Sequence, residues 1–201
     1  MILSWKAPVD YHDKLTGSYD KECGSYETAG SNFDYLALLQ GAPYPFGMDR
    51  PPVHFVCTRE RLLKHDCLWL LGDVPLVSAR LAGFLAGAAG QDVELLAPAC
   101  IMAGGEPVEQ PFYIVNATQH VQTVDLERSI AEKDDKGNVI YFTRTFLRDE
   151  ELAPRQIARD AQSGDLLISS ELAGLMKAAR FNGGKSLGFY RAAGNWQPVL
   201  E

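Results

Sequence analysis

The sequence predicts an α+β fold, a mixed or largely antiparallel sheet with a few short helices, and three observations lead to it. Runs of β-branched and aromatic residues alternate with short helical patterns along the 201 residues. Three strand-like segments, at 93–96, 112–119 and 139–146, follow one another without a helical pattern between them, which favours antiparallel neighbours. A strand, serine, helix pattern occurs twice, at Leu76-Val77-Ser78 and at Leu167-Ile168-Ser169, so two similar strand-helix-strand units are expected.

The first 30 residues mix polar, glycine and aromatic residues without sustained periodicity, apart from a short strand pattern at Ile2 to Trp5. They read as an N-terminal arm laid on the surface. Residues 31–201 form the main α+β domain, as one body or as two packed lobes at 31–105 and 106–201. Asn32 to Leu39 fits a short helix that Gly41, Pro43 and Pro45 stop, which leaves Gly41 to Pro52 as loop. Val53 to Cys57 reads as a strand, and Thr58 can cap a short helix through Lys64. Pro75 to Val77 is extended. Ser78 then caps a helix whose apolar face is Leu81, Phe84, Leu85 and Ala88, and Gly90 ends it. Asp135-Lys136-Gly137-Asn138 supplies turn chemistry ahead of the strand at Val139 to Phe146. Leu166 to Ile168 leads through Ser169 to a helix from about Ser170 to Arg180, a turn at Asn182-Gly183-Gly184 and a strand near Leu187 to Arg191.

Laid over one another, residues 76–85 and 167–176 match at Leu76 and Leu167, Ser78 and Ser169, Leu81 and Leu172, Ala82 and Ala173, and Gly83 and Gly174. A duplicated unit explains this match. The same capping and packing physics reached twice explains it equally well.

The net charge of −7 and pI near 5.1 argue against nucleic acid, whose binding needs a basic surface to neutralise phosphates. The acidity is concentrated: residues 101 to 151 hold ten Asp or Glu against five Lys or Arg. Cys23, Cys57, Cys67 and Cys100 show neither a C-x-x-C pair nor the density of a secreted disulfide scaffold, and read as reduced, mostly buried thiols. The N-terminus lacks a basic region followed by an apolar stretch, and no apolar run approaches the ~18 residues that cross a bilayer. A cytoplasmic protein without membrane contact is expected.

Catalytic and metal patterns are weak. His65-Asp66-Cys67, and His54 with Cys57, bring together residue types used in nucleophilic catalysis, but neighbours on a strand face opposite ways. His12, His54, His65 and His120 are scattered without metal-ligand spacing, so neither metal nor cofactor is expected. Gly183-Gly184-Lys185-Ser186 echoes a phosphate loop, yet Ala179 replaces its earlier glycine and a strand is expected next, so it reads as a turn. Asn116-Ala117-Thr118 fits a glycosylation acceptor only by chance, within a strand. Two acidic runs remain, Glu132-Lys133-Asp134-Asp135 and Asp149-Glu150-Glu151. They are either solvated loops or a docking surface for a basic partner, in which exposed charge sets encounter rate and nearby aromatics such as Tyr141 supply affinity.

A further group of segments carries a family resemblance: Phe33-Asp34-Tyr35-Leu36-Ala37-Leu38, Pro52-Val53-His54-Phe55-Val56-Cys57, Leu62-Leu63-Lys64-His65-Asp66 and Pro75-Leu76-Val77-Ser78-Ala79-Arg80-Leu81. It continues at Asp92-Val93-Glu94, Phe112-Tyr113-Ile114-Val115-Asn116, Val124-Asp125-Leu126-Glu127-Arg128-Ser129 and Leu166-Leu167-Ile168-Ser169-Ser170-Glu171-Leu172. In these, over residues 32 to 191, the chain resembles family eleven of the bacterial polymorphic-toxin immunity proteins, formerly a domain of unknown function. The resemblance implies an antidote that binds and inhibits a cognate antibacterial toxin, often a nuclease, and it supplies no catalytic residues. Glu132, Asp134, Asp135, Tyr141, Asp149, Glu150 and Glu151 are then the candidate toxin-binding residues. Two other classes stay open: a cysteine-dependent enzyme that reverses toxin damage, and a scaffold or adaptor presenting two similar surfaces.

Overall fold

A computed structural model describes residues 1–183, 187–193 and 195–199, with the side chains at 150, 193 and 195–198 outside the description. The architecture is α+β. A six-stranded sheet runs in the order β10 (His120–Val121), β13 (Ile157–Asp160), β14 (Leu166–Ser169), β1 (Ile2–Trp5), β15 (Phe189–Ala193) and β16 (Asn195–Pro198). A five-stranded sheet runs β2 (Thr16–Gly17), β4 (Cys67–Leu70), β5 (Val74–Ser78), β9 (Phe112–Ala117) and β6 (Val93–Leu96). Smaller sheets join β3 (Pro52–Phe55), β7 (Cys100–Ala103) and β8 (Glu106–Pro107), and β11 (Ile130–Lys133) with β12 (Val139–Arg144). The helices are α1 (Arg59–Leu62), α2 (Ala79–Ala89) and α3 (Ser170–Ala178), and Tyr35–Leu39 is a 3-10 turn started by the Asp34 carboxylate accepting from Leu36 N.

The two larger sheets are one design used twice. In one, the β4–β5 hairpin sets Cys67 opposite Val77; in the other, β13–β14 sets Ile157 opposite Ile168. Each hairpin takes a short parallel strand on its outer edge, Thr16 opposite Trp69 and His120 opposite Arg159. Each ends on the serine read from the sequence. The Ser78 hydroxyl accepts from Leu81 N at 3.3 Å and the Ser169 hydroxyl from Leu172 N at 3.0 Å, a cap worth about 1 kcal/mol per helix. Each then takes an inner antiparallel strand: Ser78 faces Phe112 where Ser169 faces Ile2, and Leu76 faces Ile114 where Leu167 faces Ser4. The post-helix strand closes both in matching register, Leu96 on Ile114 and Tyr190 on Ser4. The 76–85 and 167–176 match therefore belongs to a structural repeat, in which the runs β1-β2-β4-β5-α2-β6 and β9-β10-β13-β14-α3-β15 correspond strand for strand.

The leading strand of each run sits in the other run's sheet. β1 lies between β14 and β15, and β9 lies between β5 and β6. A residue in the loop after each helix also reaches across. Asn182 O accepts from Cys67 N at 3.1 Å, and the Asp92 carboxylate accepts from Gln156 N at 2.7 Å. The expected surface arm at 1–30 is thus corrected: all four residues of β1 are buried, and Leu15, Ser18 and Tyr19 are buried as well. A four-residue strand covered on both faces leaves no period-two alternation to read. Of the two alternatives for 31–201, one body or two packed lobes at 31–105 and 106–201, the second would have to share its sheets: β9 completes the sheet of the first part, β1, from outside both, completes that of the second, and one core spans both.

That core gathers Leu3 and Trp5 from β1, Trp69 and Val77 from the first hairpin, Leu81 and Leu85 from α2, and Ile157, Ile168, Leu172 and Met176 from the second half. Trp5 meets Trp69 edge to face at 6.0 Å, and its indole N–H donates to Leu187 O at 2.9 Å, satisfying the polar end of a fully buried ring. Gly188 closes this corner at φ +80°, where an added Cβ would lie 1.9 Å from Lys6 O. Pro75, beside Trp69 in the hairpin, lies beyond the β9 register, so its missing N–H breaks no ladder bond. A second core, beneath the other face of the five-stranded sheet, joins Tyr19, Phe33, Leu38, Phe55, Leu68, Leu70 and Leu76.

Strand exchange makes a direct prediction. Cutting the chain between the exposed residues Glu109 and Gln110 puts each leading strand on the wrong fragment for its own sheet. Fragments 1–109 and 110–201 should co-purify as a folded 1:1 complex when expressed together, and each alone should lack a cooperative unfolding transition. A cooperative transition in either isolated fragment would contradict the exchange.

Candidate interaction surface

Four of the seven candidate residues, Glu132, Asp134, Asp135 and Tyr141, lie on one element, the β11–β12 hairpin, which is a sheet separate from the larger ones. Its register sets Ala131 opposite Phe142 and Glu132 opposite Tyr141, with irregularities on either side of this pair. The turn is built by Asp134. Its carboxylate accepts from Lys136 N at 2.9 Å, Asn138 N at 2.8 Å and Asn138 Nδ2 at 2.8 Å, while Gly137 takes φ +84°. These bonds, the Asn138 side chain foremost, hold the Asp134 carboxyl below its usual range. Asp134 is therefore a turn-former, and Asp135 beside it is exposed at the tip.

Apolar side chains stand exposed along the same ribbon: Ile130, Val139, Ile140 at 63% and Tyr141 at 50%. The shift between Glu132 and Lys133 leaves Ile140 without a cross-strand partner, so Tyr141 stands with Glu132 on one face and Val139 with Lys133 on the other. Tyr141 lies across the strands from Glu132, whose carboxylate raises the phenol pKa. A two-stranded hairpin is marginal in water by itself, so its foot has to be held. Asp125 N donates to Phe146 O at 2.9 Å, Phe146 N donates to the Ser129 hydroxyl at 3.0 Å, and the Arg128 guanidinium lies 4.5 Å from the Phe146 ring. Beneath this foot lies the buried Asp160 at the end of β13. Its carboxylate accepts from Thr123 N at 2.8 Å, Thr123 Oγ1 at 2.7 Å, Gln162 N at 2.9 Å and Ser163 N at 2.9 Å. Sequence reasoning missed Asp160, because one Asp in a short strand carries no signal of burial.

The second acidic run does not join the tip. Asp149 Oδ1 accepts from Ile2 N at 2.7 Å, so it fastens the start of β1. It borders a small groove with Arg128 and Phe146 at the hairpin foot. Glu151 follows in an exposed 3-10 turn, and the Glu150 side chain lies outside the described residues. The structure thus groups Glu132, Asp134, Asp135 and Tyr141, and separates Asp149 from them.

The thiol and imidazole candidates lie elsewhere. Cys57 and Cys67 are buried, and burial pushes both thiols up, Cys67 far more, which suppresses the thiolate a nucleophile needs. Cys23 and Cys100 are exposed, against the expectation of mostly buried thiols. Burial lowers the His54 and His65 pKa values. Among the described residues, no group of three or more His, Cys, Asp or Glu is placed to hold a metal. No helix of these residues is long and apolar enough to cross a membrane. Asn116 is buried, donating to Ala42 O at 2.9 Å and to Glu94 at 3.1 Å, so it is a structural amide. The Gly184-Lys185-Ser186 part of the expected turn lies outside the described residues.

Two predictions follow from these contacts. Asp134→Ala should remove the cross-strand nuclear Overhauser contacts between Glu132 and Tyr141, whereas Asp135→Ala should keep them; equal loss in both would refute the assignment of the turn to Asp134. Brief alkylation of dilute native protein should modify Cys23 and Cys100 and spare Cys57 and Cys67, with mass mapping as the readout, and early labelling of Cys67 would contradict its burial. No family model matches the chain, and no curated protein matches it.

Proposed function

We propose that this chain is a non-catalytic immunity protein that binds and inhibits a cognate antibacterial toxin, with the β11–β12 hairpin as the element that enters the toxin. The observation that carries the reading is the hairpin itself: exposed Ile140 and Tyr141 on a ribbon outside the main sheets, fixed at its foot above the buried Asp160. Exposed apolar area on a held element suits binding, because little conformational entropy is lost when it docks. The toxin as partner comes from the immunity-family resemblance. The charge of −7 suits a basic target such as a nuclease, whose own surface has to attract phosphate.

A working antidote needs nanomolar affinity, about −12 kcal/mol. Rim carboxylates contribute little of that, since exposed ion pairs are worth roughly 0–1 kcal/mol. Ile140 and Tyr141 are the expected anchors, and Asp135 is expected to act on the encounter rate.

The test is binding kinetics and cell protection with the toxin encoded beside this gene. Ile140→Asp should speed dissociation roughly thirtyfold or more, the scale of an interface anchor, and weaken protection. Asp135→Lys should slow association at low salt and leave dissociation unchanged. Unchanged toxin affinity after Ile140→Asp would overturn the hairpin as the docking element. Failure of the wild-type chain to bind or neutralise that toxin would overturn the antidote reading.

A further inference from the structure

The outer face of the β3–β7 pair sets two sulfur atoms and an imidazole side by side. Strand alternation sends Val53 and Phe55 of β3, and Ile101 and Ala103 of β7, into the interior, where all four are buried. Pro52, His54, Cys100 and Met102 are left on the opposite face, and all four line one groove of about 990 Å³. The parallel register places His54 opposite Met102 and Pro52 opposite Cys100. Cys100 and Met102 are then about 6.6 Å apart along one strand, and the diagonal from His54 to Cys100 is about 8 Å between Cα atoms. One ion, bound by a cysteine and an imidazole, bridges such a span.

The residue types are out of their usual place. Cysteine and methionine are mostly buried, yet Cys100 is exposed and Met102 half-buried, both on the groove side of the ribbon. Gly104 and Gly105 line the groove without side chains to fill it, and Pro52 and Val56 give it apolar wall. Asp20 and Cys23 line it as well. They stand outside the group on β3 and β7, because among the described residues no three His, Cys, Asp or Glu are placed together for a metal. The third donor beside His54 and Cys100 is a thioether instead.

From this placement we infer a binding site for monovalent copper, Cu(I), with the Cys100 thiolate, the Met102 thioether and the His54 imidazole as its three ligands. Thiolate and thioether donors select Cu(I), and imidazole suits copper as the third. The flexible methionine side chain lets its sulfur adapt to the position of the ion. Zinc is the weaker occupant, since its protein sites take three or four thiolate, imidazole or carboxylate ligands and this group offers two. Binding replaces the Cys100 S–H bond with an S–Cu bond and releases one proton to water; copper remains Cu(I), so no electron donor is needed. The ligands are separate from the β11–β12 hairpin, and the site stands or falls apart from the toxin-docking proposal.

The test is titration of the reduced full chain with Cu(I), in the absence of oxygen, against the colorimetric chelator bicinchoninate. The wild type should withdraw one equivalent of copper, and X-ray absorption at the copper edge should show two sulfur neighbours and one nitrogen. Cys100→Ser should weaken binding about a hundredfold and Met102→Leu about tenfold, the range over which changes around a metal alter its affinity. Thermal unfolding without copper should be the same in both variants as in the wild type, because neither side chain belongs to the core. Bound copper should slow alkylation of Cys100 and leave Cys23 as reactive as before. A chain that takes no copper from the chelator overturns the site, as does affinity that survives Cys100→Ser or Met102→Leu. A loss on Cys23→Ser equal to that on Cys100→Ser overturns the set of three ligands. Displacement of the bound Cu(I) by one equivalent of zinc overturns the assignment to a soft ion.

Discussion

The reciprocal exchange of β1 and β9 is the constraint on which the rest of the structure depends. Each larger sheet is missing its inner strand until the other half of the chain provides it, and the strand that arrives from the N-terminus brings Trp5 to Trp69. Those two rings sit at the centre of the core shared by α2 and α3. The packing of α2 and α3 and the bonds from Asn182 and Asp92 depend on both exchanges, because each lies against a sheet finished by a strand of the opposite half.

Within the matched runs, the halves differ most between the second and third strands. Residues 18–66 separate β2 from β4, and residues 122–156 separate the equivalent β10 from β13. The first stretch builds the aromatic cluster around Tyr19, Phe33 and Tyr35, the Phe46 loop and β3. The second builds the hairpin. The sheet positions beneath them have diverged to match. Where the first half has Trp69 and Leu70 in its hairpin, the second has Arg159 and Asp160, also buried. Leu70 packs under the aromatic cluster, while Asp160 collects the backbone N–H groups of the hairpin foot. A buried carboxylate is stable there because several donors converge on it.

How much of this was legible depends on the range of the interaction. The serine caps and the faces of α2 and α3 are local, and Ser78 and Ser169 stood out in the sequence for that reason. The Asp-Lys-Gly-Asn turn was equally local, although Asp134 proved to be its key residue. β4 was hidden because Cys67-Leu68-Trp69-Leu70 is too short an apolar run to separate strand from helix. β13 was hidden because Arg159 and Asp160 look like surface residues until their partners are known. Strand exchange is a long-range pairing with no local signature at all. In the same way, the acidic residues were visible as charge, while the role of Asp149 in fastening β1 was hidden because its partner, Ile2 N, lies 147 residues away.

The place of β1 also sets the order of events during synthesis. Ile2–Trp5 is made more than 150 residues ahead of its neighbours β14 and β15. At ~5–20 residues per second, the strand waits roughly ten to forty seconds with its apolar side chains unpaired. Contacts of such sequence separation also close slowly. A nascent chain therefore has no native sheet to receive β1 until β14 and β15 have been made.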